Sequence, residues 1–147
     1  MNIRIKNNQK KQKLTIARMR TQLGRVLRRL GLPNAELSVL FIGDTAMRTL
    51  NRRYRGKNTT TDVLSFSMQE GSYSRIQPDM LGDIVISVPR AAQQAGTAGH
   101  SLAREIECLL VHGLVHLLGY DHERGPRDAR SMKRMERRIL GELSDEA

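Results

Sequence analysis

Val111-His112-Gly113-Leu114-Val115-His116-Leu117-Leu118-Gly119-Tyr120-Asp121-His122 carries three of the four histidines of this chain. In a helix, four residues turn through about 400° and rise about 6 Å. His112 and His116 therefore project from one face, one turn apart. Gly119 is placed to end the helix, because glycine adopts positive φ without a Cβ penalty. The chain then folds back and brings His122 over the same face. Three imidazoles converge, and the run supplies no fourth ligand. Structural zinc sites are usually closed by four protein ligands, whereas catalytic sites keep three and leave one position open. The run is read as a site for a divalent metal that does chemistry. Three unpartnered imidazoles among leucines and valines would otherwise be costly to bury.

The elements around this run follow from their own patterns. Ser101 caps a central helix from Leu102 to Leu118, whose later half is apolar nearly all round and so should be buried. Cys108, one turn before His112, is read as a small core residue rather than a ligand. A last helix spans Arg127 to Leu143, with Met132, Met135, Ile139 and Leu143 inward. Upstream, Asn2 to Lys6 alternates polar and apolar residues and reads as a strand. Ile16, Met19, Leu23, Val26, Leu27 and Leu30 recur at helical spacing before Gly31 and Pro33. Glu36 to Ile42 is a second strand. Asp44 is expected to cap a short helix with Met47, Leu50 and Tyr54 on its inner face and Gly56 beyond its end. A polar loop, Lys57 to Thr61, leads to a strand over Asp62 to Phe66. Met68 to Asp79 is read as a long mobile excursion, Leu81 to Ser87 as a fourth strand, and a further helix starts near Pro89.

Four strands and about five helices predict an α+β fold. A mostly parallel mixed sheet packs against the helices, with the metal site on a buried central helix and the turn after it. The 147 residues make one domain, long enough for a real core, with the basic segment 1–13 and the tail 144–147 expected to be mobile.

Charge narrows the partner. Twenty-five Lys and Arg against fifteen acids leave +10. Arg4, Lys6, Lys10, Lys11, Lys13, Arg18, Arg20, Arg25, Arg28 and Arg29 all precede the first acid, Glu36. A second basic stretch runs from Arg124 to Arg138. Such an imbalance suits a polyanion, most simply nucleic acid, and Arg18, Arg25, Arg28 and Arg29 are candidate substrate contacts. Aromatics are 3% of the chain and tryptophan is absent, which argues against a broad base-stacking platform. One cysteine excludes an internal disulfide. No apolar run is long enough for a membrane span and the N-terminus is not a signal peptide, so a cytoplasmic location is expected.

Ligand and glycine spacing at His112, His116, Gly119 and His122 equals that of the metzincin protease signature H-E-x-x-H-x-x-G-x-x-H. Gly113 stands where those proteases carry the glutamate that serves as general base. Peptide hydrolysis is therefore weakly supported.

A resemblance covering most of the chain is closer. His112-Gly-x-x-His116-Leu-x-Gly119-Tyr120-Asp121-His122 resembles the signature of the YbeY family of bacterial metal-dependent endoribonucleases. Asn51-Arg52-Arg53-Tyr54-Arg55-Gly56-Lys57 with Thr61-Asp62-Val63-Leu64-Ser65-Phe66 resembles the family's helix-loop-strand block. Leu81-Gly82-Asp83-Ile84-Val85-Ile86 resembles its strand before the metal helix. The resemblance implies cleavage of single-stranded RNA, maturation of the 3′ end of the small-subunit ribosomal RNA, and a part in ribosome quality control. It implies zinc on His112, His116 and His122, and a functional arginine at Arg55.

Residue chemistry is compatible with this. A divalent ion polarises phosphoryl oxygens and brings the pKa of a bound water from ~15.7 to near 7. Arg55 can clamp phosphate oxygens, and Asp121 can orient an imidazole or simply shape the turn. His112 and Arg55 are thus the candidate catalytic residues. Imidazole donors suit zinc, while nickel, copper and iron also accept them. Two other readings stay open: a metallohydrolase of peptides or small molecules, and an RNA-binding ribosome assembly factor whose metal is structural; the partners the resemblance implies are ribosomal RNA and the small ribosomal subunit.

Overall fold

The computed structural model describes residues 1–68, 79–120 and 125–144. Strands β1 (Asn2–Asn7), β2 (Glu36–Ile42), β3 (Val63–Ser67) and β4 (Met80–Ser87) form one sheet in the order β1-β2-β4-β3. β1 and β4 pair with β2 in parallel, and β3 closes one edge antiparallel to β4. Five helices are described: α1 (Ile16–Arg29), α2 (Asp44–Arg55), α3 (Val88–Ala98), α4 (Leu102–Leu117) and α5 (Pro126–Ser144). The mixed, mostly parallel sheet and five helices are those expected. Of the segment expected to be mobile at the N-terminus, Asn2–Asn7 is strand β1. Most of the Met68–Asp79 excursion, residues 69–78, lies outside the described residues, as do 145–147.

Strand alternation sorts the apolar side chains onto two faces. Ile3 and Ile5, then Leu37, Val39 and Phe41, then Ile84 and Ile86 meet α1, α4 and α5 in the main core. Leu40, Ile42, Leu64, Phe66 and Val85 face the other way, where, among the described residues, Met47 and Leu50 of α2 pack on them. Among the described residues, one whole face is thus covered and the other only in part.

Gly82 breaks the alternation. The register slips between Glu36 and Leu37 opposite it, and its φ is +136°. A bulge at this point puts Leu81 and Ile84, three residues apart, in the same core. A Cβ at Gly82 would lie 2.0 Å from the Phe66 carbonyl oxygen, so only glycine fits.

Two helix starts behave differently. The Ser101 hydroxyl accepts from the Arg104 amide at 3.1 Å, as expected of the α4 cap. Asp44 is not a cap. Gly43 occupies that position, and Asp44 is the first helical residue, where a negative charge still favours the helix dipole. Its carboxylate instead accepts from Thr60 Oγ1 at 2.7 Å and Ser87 Oγ at 2.9 Å, tying α2, the following loop and the end of β4 together.

Candidate active site

α4 supplies the first two histidines. Its sequence is buried at Ile106, Leu109, Leu110, Val111, Leu114, Val115 and Leu117, leaving His112 and His116 half-exposed on the remaining stripe. Their rings stand edge to face with centroids 4.7 Å apart, the geometry expected of positions one turn apart. The helix ends at Leu117; Gly119 follows at φ +100°, and its amide returns to the His116 carbonyl at 3.0 Å. The predicted bend is therefore in place. His122 and Asp121 lie outside the described residues, so the third imidazole and the proposed orienting carboxylate have no described position. Among the described residues no group of three His, Cys, Asp or Glu side chains closes a metal site.

Glu136, on α5, completes what sequence reading missed. Its Oε1 lies 2.9 Å from His112 Nδ1. A carboxylate accepts, so Nδ1 carries the hydrogen, and the tautomer that leaves a lone pair on Nε2 is the one this contact favours. Metal-binding histidines commonly donate their second ring nitrogen to a carboxylate in this manner. The two imidazoles and this tie fit a divalent ion. The only sequence signal was a carboxylate within the inward-facing Met132–Met135–Ile139 pattern.

Gly113 has a packing reason. A Cβ there would lie 2.9 Å from Cγ2 of buried Ile84, so the helix rests on β4 with its backbone. A glutamate at 113 would point into that contact. The position of the protease base is thus closed by the sheet, in agreement with weak support for peptide hydrolysis. Cys108 is half-buried, and burial pushes its thiol up against the pull of Arg104. That disfavours a thiolate ligand, while Cys108 lies at the margin of the apolar core rather than within it as expected.

Arg55 is the last residue of α2, exposed, and followed by Gly56 in the left-handed conformation at φ +71°. Its neighbour Tyr54 touches Phe66, with ring centroids 5.3 Å apart. Phe66 pairs with Asp83 beside Gly82, and Leu117 packs close to Gly82. Arg55 therefore sits at the end of the sheet where α4 also ends. Tyr54 departs from expectation: its spacing predicts an inward ring, yet it is 60% exposed, because α2 overhangs a part of the sheet that no other described residue covers.

The four candidate arginines of α1 do not act as one group. Arg28 and Arg29 are exposed in its last turn, which leads into β2 at the same end of the sheet. Arg25 is half-buried, and Arg18 lines a cleft beside Arg104 and Glu107, toward the start of α4 and away from His116. No helix among the described residues is long and apolar enough to cross a membrane.

Comparison with known proteins agrees with this architecture. The family model described as endoribonuclease YbeY matches residues 4–144. An endoribonuclease YbeY of Geobacter sulfurreducens is 42% identical over 99% of this chain and 97% of its own length. Another, of Aquifex aeolicus, is 49% identical over 78% of this chain and 75% of its own. A Thermotoga maritima protein solved in solution superposes with a TM-score of 0.71 at 25% identity, covering 98% of this chain and 90% of that one.

Proposed function

The chain belongs to the YbeY family of endoribonucleases, and from that premise we propose that it is a zinc-dependent enzyme cutting single-stranded RNA. The observation that carries the metal part is the His112–His116 pair with Glu136 bonded to His112 Nδ1. His112, His116 and His122 would hold the ion, with nickel or another divalent metal as substitutes. When bound, such an ion supplies Lewis-acid polarisation of a phosphoryl oxygen and acidification of water.

The chain's own residues do the rest. Glu136 fixes the tautomer and the orientation of the His112 ring, so that Nε2 is the donor. Asp121, beside His122, is proposed to do the same for that ring. Arg55 donates its guanidinium N–H groups to the charged oxygens of the scissile phosphate, which gain charge as the bond breaks. Arg28 and Arg29, exposed at the same end of the sheet, add to the positive field that draws the RNA backbone.

The family premise further suggests the substrate: the 3′ end of small-subunit ribosomal RNA, on the subunit, in the cytoplasm, with a part in ribosome quality control. Mapping the ends produced by the purified protein on a precursor fragment, single-stranded and annealed to a complementary strand, tests this. Cleavage is expected on the single strand and not on the duplex. Chelator-sensitive digestion of unfolded casein, with intact RNA, would instead return the peptidase reading that Gly113 disfavours.

A further inference from the structure

Among the described residues, the part of the sheet that α2 leaves open forms a groove of about 590 Å³ on the face opposite α4. Its floor is Leu40 and Val85, its wall Tyr54 and Phe66, and its far lip Arg4 and Lys6 of β1. Asp83 stands in it, exposed. A smaller cleft of about 240 Å³ continues from it, sharing Arg4, Ser38 and Asp83 and reaching Met68 and Met80. Gly82 lines that cleft, and Leu117 of α4 packs close to it. The groove therefore leads to the end of the sheet where α4, with His116 in its last turn, and α2, with Arg55, both end.

Its chemistry is composite. The edge strand β1 accounts for a lysine or arginine by itself, because such charges block pairing with another sheet. That does not account for a tyrosine left 60% exposed beside an apolar floor, nor for a carboxylate facing the same space. Arg4, Lys6 and Asp83 make no side-chain hydrogen bond or ion pair with one another or with any other described residue. An aromatic wall, an acceptor on the floor and cations at the lip are what one nucleotide of an unpaired strand requires: a surface for the base, a partner for its edge and counter-charges for its phosphate.

We propose that this groove binds a single unpaired nucleotide of the RNA, with guanine as the preferred base, before the strand passes round the end of the sheet to Arg55. The base lies against Tyr54. Asp83 accepts both N1–H and N2–H of guanine, a bidentate pairing that uracil, with one N–H on that edge, does not complete. Arg4 and Lys6 hold the phosphate. This rests on the reading of the substrate as single-stranded RNA.

Titration of the isotope-labelled full chain with 5′-GMP and with 5′-UMP, followed by amide NMR, tests the site. GMP should move the amides of Arg4, Lys6, Tyr54 and Asp83 and bind roughly tenfold more tightly than UMP, about the discrimination of one good bidentate base contact. Asp83→Asn should erase that preference by weakening GMP more than UMP, and Tyr54→Ala should weaken both nucleotides about tenfold or more. Equal binding of the two nucleotides, shifts confined to other surfaces, or an Asp83→Asn protein that keeps the preference would overturn the proposal. Cleavage is scored separately on the same preparations. Guanine binding without RNA cleavage would leave the groove and remove the ribonuclease reading; cleavage without groove shifts would do the reverse.

Discussion

Glu136 Oε1 stands 2.9 Å from His112 Nδ1, joining helix α5 to the histidine-bearing helix α4 across 24 residues of sequence. The contact is half-buried on both sides. It links α5 docking to the orientation of the ring proposed to hold the metal. Glu136→Ala is expected to lower metal affinity roughly ten- to a hundredfold, the usual cost of losing a carboxylate behind a ligating histidine. Glu136→Gln, whose amide oxygen still accepts from Nδ1–H, should lose less. Competition with a chromogenic chelator measures both. Equal affinity in all three proteins would show that Glu136 serves only helix packing.

Gly113 offers a test of packing against chemistry. A methyl group there meets Ile84 at 2.9 Å, and neither the strand nor the helix can yield easily. Gly113→Ala should destabilise the fold by about 1–3 kcal/mol, the range for overpacking a filled core. Denaturant unfolding reads this directly. On an Ile84→Ala background the same substitution should cost clearly less, because the obstructing carbons are gone; an unchanged cost would place the strain elsewhere.

Much of this was legible in the sequence, and the exceptions share one cause. The bounds of β2, the Ser101 cap and the turn at Gly119 follow from local chemistry, since periodicity, a capping hydroxyl and a positive φ each act within a few residues. Glu136 was not found, because spacing along one helix says nothing about which carboxylate a second helix delivers. Asp44 was misassigned for a related reason: its side chain prefers two hydroxyls brought by a loop and a distant strand over its own helix end. Tyr54 has the right spacing to be inward, but the sheet beneath it is not covered far enough to bury it.

Asp44 also sets an expectation for acid. Its bond from Thr60 holds the carboxyl below the usual range, with Ser87 and Arg90 acting alongside and burial opposing. A carboxyl lowered in the folded state contributes stability that is fully present above its unfolded value, near 3.8, and is lost as pH falls through the lower folded value. Thermal unfolding of the wild type should therefore show a falling midpoint below that pH. Asp44→Asn should flatten that part of the profile while lowering stability at neutral pH. A profile identical to the wild type would remove the role assigned to this carboxylate.

Arg55 lies outside the helix core and supplies no metal ligand, so its replacement should be structurally mild. If it stabilises charge on the scissile phosphate, Arg55→Ala should keep metal content and unfolding midpoint but cut RNA cleavage about a hundredfold or more. Arg55→Lys should recover only part, since an ammonium lacks the planar fork. Cleavage at the wild-type rate by Arg55→Ala would end the catalytic assignment.

The central claim is that a metal held by this histidine run is what cuts RNA. It is tested most directly by measuring bound metal and single-stranded RNA cleavage together, for the wild type and for His116→Ala. The account predicts about one divalent ion per wild-type chain, cleavage abolished by stripping and restored by zinc, and neither metal nor cleavage in the variant. An His116→Ala protein that is folded, free of metal and still cuts the RNA at the wild-type rate would contradict it.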